Sequence, residues 1–252
     1  MANNKLFYLA NTAIDTYSYL RNIANINIYA GGTSSDFSTT PDAVLSIKNV
    51  PEFKIIEKHE RYIEFGSCVT LSDIEYLGKN RLPLTIYDAL QTIKNPFIKN
   101  LATIGGNICC KNIKNTLFAS LLVLDARLEF HNSTDSMFIP MTKFKSVPEG
   151  YVLTKVRIPY GNWNKSFFCR VGSNEKIDNS SASFALLANI EKDILTNFSM
   201  AFAGSILINS KTLDNNLIGT RLPLTKKNIE TMLETCGEYF DTIEKENDLN
   251  LN

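Results

Sequence analysis

The chain has 252 residues, of which 44% are hydrophobic and 21% charged, so it can bury the core of one large domain or of two unequal domains. Lysine plus arginine and aspartate plus glutamate number 26 each, which excludes the basic excess that is typical of proteins that bind nucleic acid or anionic membranes. No apolar run reaches the roughly 18 residues of a membrane span and the first residues lack a secretory pattern, so we expect a cytoplasmic protein.

The first part of the chain predicts a helix and two strands around a glycine pair. The helix begins after residues 11–12, either of which can cap it. A short strand at residues 27–30 runs directly into Gly31-Gly32, and residues 43–47 predict the next strand. This order places the glycines in the turn that leaves a strand.

The middle of the chain predicts a hairpin, several helices and a second glycine pair. Residues 52–69 contain two strand-like runs, and residues 70–73 resemble a capping box that opens a short helix. Gly78 can end this helix, and a further helix fits residues 83–93. After the second glycine pair, Gly105-Gly106, the pattern predicts a helix at residues 117–124 and strands at residues 127–131 and 151–158.

The last third of the chain predicts a second, smaller unit. Turn-forming residues at 159–162 indicate a boundary. Strands are expected at residues 166–171 and 198–208, with a helix at residues 182–191 between them. Thr225 caps a final helix whose apolar stripe we expect to be core; the stripe consists of Ile229, Met232, Leu233, Cys236, Tyr239, Phe240 and Ile243.

The cysteines and histidines predict no metal site and no catalytic residue. The two histidines, His59 and His131, stand far apart and without nearby ligand types. The five cysteines are scattered without the paired Cys-x-x-Cys spacing of a zinc or iron–sulfur site, so we expect reduced and mostly buried thiols. These are Cys68, Cys109, Cys110, Cys169 and Cys236.

The two glycine pairs are candidate anion-binding segments. Adjacent glycines allow positive φ and a close approach of ligand to backbone, and successive free N–H groups can form a nest for a phosphate. Each segment taken alone favours a structural turn. Neither segment has the dinucleotide fingerprint G-x-G-x-x-G or the phosphate loop G-x-x-x-x-G-K-[ST], and the hydrolase patterns G-x-S-x-G and H-E-x-x-H are absent from the sequence.

Around these glycines the sequence resembles the FAD-binding subunits and domains of the xanthine dehydrogenase and carbon monoxide dehydrogenase family of molybdenum hydroxylases. Residues 30–37 read AGGTSSDF, which is similar to the family's first flavin loop, A-G-G-T-D-L. Residues 98–108 read IKNLATIGGNI and differ from the second, I-R-N-x-A-T-I-G-G-N-I, only at Lys99. Weaker similarities occur at residues 66–73, 121–126, 168–172 and 215–219.

The resemblance implies an α+β fold of the type-two (PCMH-like) FAD-binding kind. Residues 1–160 would form the FAD-binding domain, from two α/β subdomains that divide near residue 50. Residues 161–245 would form a smaller C-terminal domain of sheet plus helices, and residues 246–252 a frayed tail. FAD is the cofactor that this fold implies.

The family's cofactor contacts carry over to particular residues of this chain. Arg170 occupies the position of a lysine near the flavin ring, and Thr116 the position of an acidic residue, so a carboxylate is missing there. Ser34-Ser35 stand where the family has Asp-Leu, unless one residue is inserted and Asp36-Phe37 take those places. The pyrophosphate contacts fall on Tyr29, Ala30, Gly31, Gly32, Thr33, Ser34, Ser35, Thr103, Gly105, Gly106 and Asn107.

Further departures from the family concern charge near the cofactor. Lys111 and Lys114 add positive charge after the second glycine pair, where Asn115 and Thr116 replace a Ser-Asp pair. Residues 173–174 are Ser-Asn where the family often has basic residues. These changes bear on cofactor affinity, redox potential and the choice of electron acceptor.

The resemblance implies an electron-transfer subunit that is incomplete alone. Electrons would arrive from the clusters of an iron–sulfur subunit, in a complex with a subunit that holds the molybdenum cofactor, and FAD would pass them to NAD or another acceptor. Two alternatives stay open: a stand-alone flavin reductase on the same fold, and a non-enzymatic descendant that has lost FAD. Only the first of the three readings requires partner subunits.

Overall fold

The protein is described by a computed structural model that covers residues 6–34, 43–110, 113–172 and 180–249. Within these ranges no helix is both long enough and apolar enough to cross a membrane. The described strands form three sheets, of three, five and four strands. Helices pack against these sheets, and the candidate site lies between elements of different sheets.

The first sheet is parallel, with its third strand in the centre. β3 (Ala43–Ser46) pairs with β1 (Leu6–Leu9) on one side and with β2 (Ile26–Tyr29) on the other. Helix α1 (Ala13–Asn22) makes the connection from β1 to β2 that parallel strands require, and begins at a capping box on Thr12, one of the two residues expected to cap it. The sequence analysis missed β1, because its four residues are all apolar and show no alternation.

The second sheet is antiparallel and forms one wall of the main core. Its strands are β4 (Ile56–Lys58), β5 (Tyr62–Gly66), β6 (Arg127–His131), β7 (Ser136–Pro140) and β8 (Val152–Pro159), in the order β4-β5-β8-β6-β7. The expected hairpin is confirmed as β4 and β5, whereas β7 was not predicted. Ile63, Phe65 and Ile158 have no exposed surface, because alternate side chains of each strand face the helices.

Five helices share the main hydrophobic core with this sheet. They are α2 (Leu71–Tyr76), α3 (Leu84–Thr92), α4 (Pro96–Leu101), α5 (Ile104–Cys109) and α6 (Phe118–Val123). Helix α2 begins at the expected capping box, with Thr70 and Asp73 bonded reciprocally. The second glycine pair lies inside α5, where the sequence predicted a loop, because Ile104 and Ile108, one turn apart, are both buried in the core.

The third sheet is antiparallel, and one of its strands was expected to be a helix. Its strands are β9 (Lys165–Val171), β10 (Ala182–Glu191), β11 (Ile194–Ala203) and β12 (Leu207–Ile208), in the order β12-β11-β10-β9. The helix expected at residues 182–191 is wrong, because this segment is β10. Alanine and leucine favour helix, but β10 pairs with a strand on each side, and these contacts override the local preference.

The third sheet shares its core with the helices of the second. Ser183, Ala185 and Leu187 of β10 are buried, and the latter two join the same cluster as Phe118 and Leu122 of α6. The division of the chain near residue 160 therefore stays a proposal, since one hydrophobic core extends across it.

Two helices complete the described chain. α7 (Lys211–Leu217) was not predicted; its Leu217 is buried in a small cluster with Leu195 of β11. α8 (Lys226–Leu249) begins at the expected cap, where the Thr225 hydroxyl accepts the N–H of Asn228 at 3.2 Å. Helical structure reaches Leu249, beyond the residue at which the sequence predicts the tail to begin.

The apolar stripe of α8 is not core, contrary to the expectation. Ile229, Leu233 and Phe240 are 44%, 67% and 40% exposed, and only Met232 packs against the cluster that holds Leu217. Helical periodicity shows that one face of a helix is apolar, but it does not show that the same chain covers that face.

Candidate cofactor site

The two glycine segments lie side by side at the carboxyl end of the first sheet. Gly31 follows β2 and packs against the last residue of α4: a Cβ on Gly31 would lie 1.7 Å from the carbonyl oxygen of Leu101 and 3.2 Å from the Cα of Ala102. No side chain fits in this contact. The tertiary fold thus brings together the two segments that the sequence singled out separately.

The first segment offers backbone donors. Among the residues that the structure describes, the N–H groups of Gly31, Gly32 and Thr33 have no hydrogen-bond acceptor. Gly32 has φ +73°, and a Cβ there would lie 2.7 Å from the ring of Tyr29. Open N–H groups beside a left-handed glycine suit an anionic ligand.

Part of the expected site lies outside the described residues. Ala30 and Ser34 are described, at the two ends of the first glycine segment. Of the residues that the sequence places in or near the site, those outside the described ranges are Ser35, Asp36, Phe37, Lys111, Ser173 and Asn174.

The second segment does not form the expected nest of free amides. The N–H of Ile104 donates to the Val69 carbonyl at 3.0 Å, and the N–H of Gly105 donates to the Ser67 carbonyl at 2.9 Å. The N–H of Gly106 donates to Thr103, the N-cap of α5, at 3.0 Å. Because these donors have acceptors within the protein, the segment contributes shape more than free hydrogen-bond donors.

Gly105 and Gly106 differ in what surrounds them. A Cβ on Gly105 would lie 2.7 Å from the carbonyl oxygen of Ser67, so protein packing requires a glycine there. Gly106 is exposed, and a Cβ on it would have only the Thr103 hydroxyl within contact distance, at 3.2 Å. Protein packing gives no reason for a glycine at residue 106.

Asn107 joins α5 to the segment that follows it. Its side-chain oxygen accepts the N–H of Leu117 at 3.2 Å, and its carbonyl accepts the side-chain amide of Asn115 at 3.3 Å. Asn107 is only 8% exposed. Its carboxamide oxygen therefore positions residues 113–117, and its expected contact with the cofactor stays a prediction.

A narrow cleft lies between residues 113–117 and the strands β9 and β10. Arg170 of β9 is the direct cross-strand partner of Ser183 of β10, so both side chains are on one face of the sheet. The ammonium group of Lys114 lies 4.8 Å from the centre of the Phe118 ring. The described lining contains two cations and no carboxylate; it consists of Lys114, Thr116, Arg170, Ser181, Ala182 and Ser183.

Two polar groups in or beside the site were missed by the sequence analysis. Ser67 accepts the N–H of Gly105, and its own buried hydroxyl has no partner among the described residues. Ser183 was missed because its segment was read as a helix, which hid its pairing with Arg170. The alternation of small and large residues at 183–186 is the signal that could have revealed it.

The cysteines are all free, but only Cys68 is buried; the other four are half-buried, which corrects the expectation of mostly buried thiols. Burial raises the pKa of Cys68 to about 11 and the pKa of Cys109 to about 12. A thiol with such a pKa is almost entirely protonated at neutral pH and is a poor nucleophile. Cys109, at the end of α5, is therefore unsuited to a covalent flavin link.

His59 does not stand apart from carboxylates, as the sequence suggested. Its Nε2 lies 3.6 Å from the carboxylate of Glu64, and the carboxylate of Glu57 is also nearby. Both acids have cationic partners: Arg157 Nε lies 2.7 Å from Glu64, and Lys155 Nζ lies 3.1 Å from Glu57. The hydrogen bond to Glu64 raises the pKa of Arg157. The cluster is a charge-balanced surface of the second sheet.

Comparison with known proteins places the site in context. Residues 3–161 match the protein family described as "FAD binding domain in molybdopterin dehydrogenase". The chain is 29% identical over 123 residues to the nicotinate dehydrogenase FAD-subunit of Eubacterium barkeri, which covers 46% of this chain and 42% of that protein. It is 26% identical over 150 residues to the xanthine dehydrogenase FAD-binding subunit of Escherichia coli O157:H7, which covers 56% of this chain and 51% of that protein.

Other matches are shorter in sequence or more distant. An indole-3-acetaldehyde oxidase of Zea mays is 38% identical over 90 residues, which are 34% of this chain and 7% of that protein. The match thus spans about half or less of each of these curated relatives. The carbon monoxide dehydrogenase of Hydrogenophaga pseudoflava has a chain that superposes with a TM-score of 0.78 at 15% identity, over 92% of this chain and 85% of that one. This likeness confirms the expected α+β, PCMH-like fold.

Proposed function

Because the chain belongs to the family of FAD-binding domains in molybdopterin dehydrogenases, we propose that it is the FAD-binding electron-transfer subunit of a molybdenum hydroxylase. In this proposal a cytoplasmic complex contains an iron–sulfur subunit and a subunit with the molybdenum cofactor. Electrons from the clusters reach FAD on this chain and pass to NAD or another acceptor.

The observation that carries the proposal is the contact between the two glycine segments. Gly31 lies against the carbonyl of Leu101, and the open N–H groups of Gly31, Gly32 and Thr33 are beside it. These donors fit a pyrophosphate, and the exposed surface of Gly106 lets a ligand lie against the backbone.

The remaining residues fit the other end of the cofactor. The unpartnered hydroxyl of Thr116 and the cations Lys114 and Arg170 line the cleft beside β10. When bound, FAD supplies the capacity to accept electrons and pass them on; the protein binds, orients and tunes it. In this assignment the first glycine segment holds the phosphates, and the ring lies on the side of Lys114 and Arg170.

FAD titration of the purified apoprotein tests the proposal first. Quenching of flavin fluorescence that saturates at one FAD per chain is the expected result. A colourless protein that does not take up FAD would contradict the proposal and would favour a non-enzymatic scaffold.

The partners and the acceptor need separate measurements. Affinity purification of the tagged chain from its native source should recover molybdenum and iron with the flavin, and recovery of the flavoprotein alone would favour a stand-alone reductase. Rapid-mixing spectroscopy of the reduced flavoprotein with NAD should show reoxidation of the flavin. If NAD leaves the flavin reduced, NAD is not the acceptor.

A further inference from the structure

A cavity lies between the last helix and the third sheet. Its walls are one face of α8, helix α7 with the turn that follows it, and β11. It has a volume of about 380 Å³ and is partly open to solvent. The gaps that side-chain packing leaves inside a domain are few and seldom larger than a water molecule, whereas small-molecule sites have volumes of roughly 300–1,000 Å³. The cavity therefore has the size of a ligand site.

The part of α8 that lines the cavity shows that the cavity is elongated. The lining residues occupy one face of the helix along three turns, and they are Lys227, Asn228, Thr231, Met232, Thr235 and Cys236. With a rise of about 1.5 Å per residue, Lys227 and Cys236 lie about 13 Å apart along the helix axis. An extended chain of carbon atoms matches this shape better than a compact ring does.

Apolar side chains line the cavity on every wall. Leu213 and Leu217 of α7 are buried, and half-buried side chains from β11 and α8 complete the set, namely Met200, Met232 and Cys236. Carbon atoms of a ligand that contact these side chains are removed from water, which is favourable. The body of the ligand is therefore expected to be apolar.

A cation lies at one end of this elongated cavity. Lys226 forms an exposed ion pair with Glu230, whereas its neighbour Lys227, which lines the cavity, has no ion-pair partner among the described residues. The described lining contains no carboxylate. The nearby acid of α7, Asp214, has its carboxylate bonded to the N–H of Met200. A lone cation at the end of an apolar cavity favours a ligand with a single negative group at one end.

We propose that this cavity is a second ligand site, which binds an aliphatic monocarboxylate with its carboxylate at Lys227 and its chain along Met232 toward Cys236. The cavity shares no lining residue with the cleft beside β10 and contains no residue of the two glycine segments, so the inference does not depend on the binding of FAD. Octanoate is a suitable probe, because it has one carboxylate and an apolar chain that is shorter than the cavity.

Alkylation of Cys236 reports directly whether the cavity is occupied. The whole chain, without FAD, is treated with iodoacetamide at increasing concentrations of octanoate, and mass spectrometry of its peptides measures the reaction at each cysteine. Octanoate should slow the alkylation of Cys236, because the bound chain covers the thiol, and should leave the alkylation of Cys169 unchanged, since this half-buried thiol of β9 lies outside the cavity. 1-Octanol, which has the same chain without the charge, should need a concentration about fivefold higher for the same protection.

Variants of the two neighbouring lysines test the role of the charge. Lys227→Met should raise the octanoate concentration that gives half-maximal protection of Cys236 about fivefold. Lys226→Met is the matched control outside the cavity and should change this concentration by less than about twofold. Both lysines are exposed, so both variants should fold. Lys227→Arg, which keeps the positive charge, should be protected like the wild type.

Each contrary result would overturn the proposal. If octanoate does not slow the alkylation of Cys236, or slows Cys169 equally, the cavity is not a site for the chain. Equal protection by 1-octanol, or equal effects of the Lys227→Met and Lys226→Met substitutions, would show that the site does not select a carboxylate. None of these outcomes bears on the proposed function, which the FAD titration tests separately.

Discussion

The three glycines Gly31, Gly105 and Gly106 of the candidate site differ in what a side chain at each position would meet. Gly31 has the carbonyl of Leu101 where a Cβ would be, and Gly105 has the carbonyl of Ser67. Gly106 has open space, limited only by the Thr103 hydroxyl. The fold therefore requires the first two, whereas only a ligand that lies against the backbone would require the third.

Substitution of Gly106 should separate ligand binding from folding. Gly106→Val places its side chain where we expect the pyrophosphate, so the apoprotein should melt near the wild-type temperature while FAD affinity falls by more than about tenfold. Gly105→Ala should instead destabilise the apoprotein by about 1–3 kcal/mol, because its Cβ meets backbone. Melting curves and FAD titrations give the comparison. Near-normal FAD binding by Gly106→Val would make Gly106 a structural glycine.

Arg170 tests the electrostatics of the ring site. If its guanidinium lies by the flavin, it favours the reduced and more negatively charged ring, and a hydrogen bond to a charged group is worth roughly 1.5–3 kcal/mol. Arg170→Ala should then lower the midpoint potential by roughly 30–65 mV, since about 30 mV corresponds to 1.4 kcal/mol for two electrons. Potentiometric titration of both fully loaded proteins measures the shift. Midpoints that agree within about 10 mV would assign Arg170 to structure.

At the scale of elements, α7 is tied to β11 by a buried acid. Asp214 is 5% exposed, and its carboxylate accepts the N–H of Met200 at 3.1 Å. Burial raises the pKa of Asp214 from 3.8 to about 6, although the bond from Met200 and the nearby Lys211 act in the opposite direction. Between these two values the folded protein keeps a proton that the unfolded chain releases, so the free energy of unfolding falls as pH rises.

Asp214→Asn should remove this pH dependence and keep an acceptor for Met200. We expect the free energy of unfolding to rise by about 1–3 kcal/mol at pH 7 and to change little near pH 4, where the wild-type acid is protonated. Urea unfolding at both pH values measures this, with the exposed Asp241→Asn of α8 as the control. A variant less stable than the wild type at pH 7 would show that the charged form of Asp214 is the favoured one.

Helix α4 is held in place by an ion pair between Lys99 and Glu75. Lys99 is the residue at which the second motif departs from the family's pattern. Lys99 Nζ lies 2.6 and 2.7 Å from the two carboxylate oxygens of Glu75, and the pair is largely buried, with 15% and 24% of the side chains exposed. Gln91 donates to the same carboxylate at 2.7 Å. This contact positions Leu101, the residue on which Gly31 packs.

Lys99→Met should therefore lower the free energy of unfolding by about 1–2 kcal/mol, between the values for exposed and buried pairs. Lys226→Met is the matched control, since Lys226 forms an exposed pair with Glu230 at 3.8 Å, and we expect less than about 0.5 kcal/mol there. Denaturant unfolding of both variants gives the values. Equal effects would mean that the Lys99 pair does not hold α4.

At the scale of the whole molecule, the flavin should be held without a covalent bond. The first glycine segment contains no histidine or cysteine, and the cysteine at the end of α5, Cys109, has its pKa raised to about 12 by burial. Acid precipitation of the flavin-loaded protein should release all the flavin into the supernatant. Colour that stays with the pellet would contradict this expectation.

Local chemistry made much of the fold predictable from the sequence. The helix start after residues 11–12, the capping box at Thr70 and the hairpin of β4 and β5 depend on neighbouring residues, and the structure contains all three. Segment β10 was misread because its pairing partners, β9 and β11, are not visible in its own residues. The stripe of α8 was misread because periodicity does not say what covers a face.

By itself, the sequence determined the family motifs, the cofactor that they imply and the two glycine pairs. The tertiary structure decided which glycine serves packing and which faces open space, and it gave Asn107 a hydrogen bond that holds the segment before α6. It also brought Ser183 beside Thr116. The physical reason is that glycine, asparagine and serine act through groups far away in the chain: the carbonyl of Leu101 beside Gly31 and the N–H of Leu117 bonded to Asn107 exist only after the elements have packed.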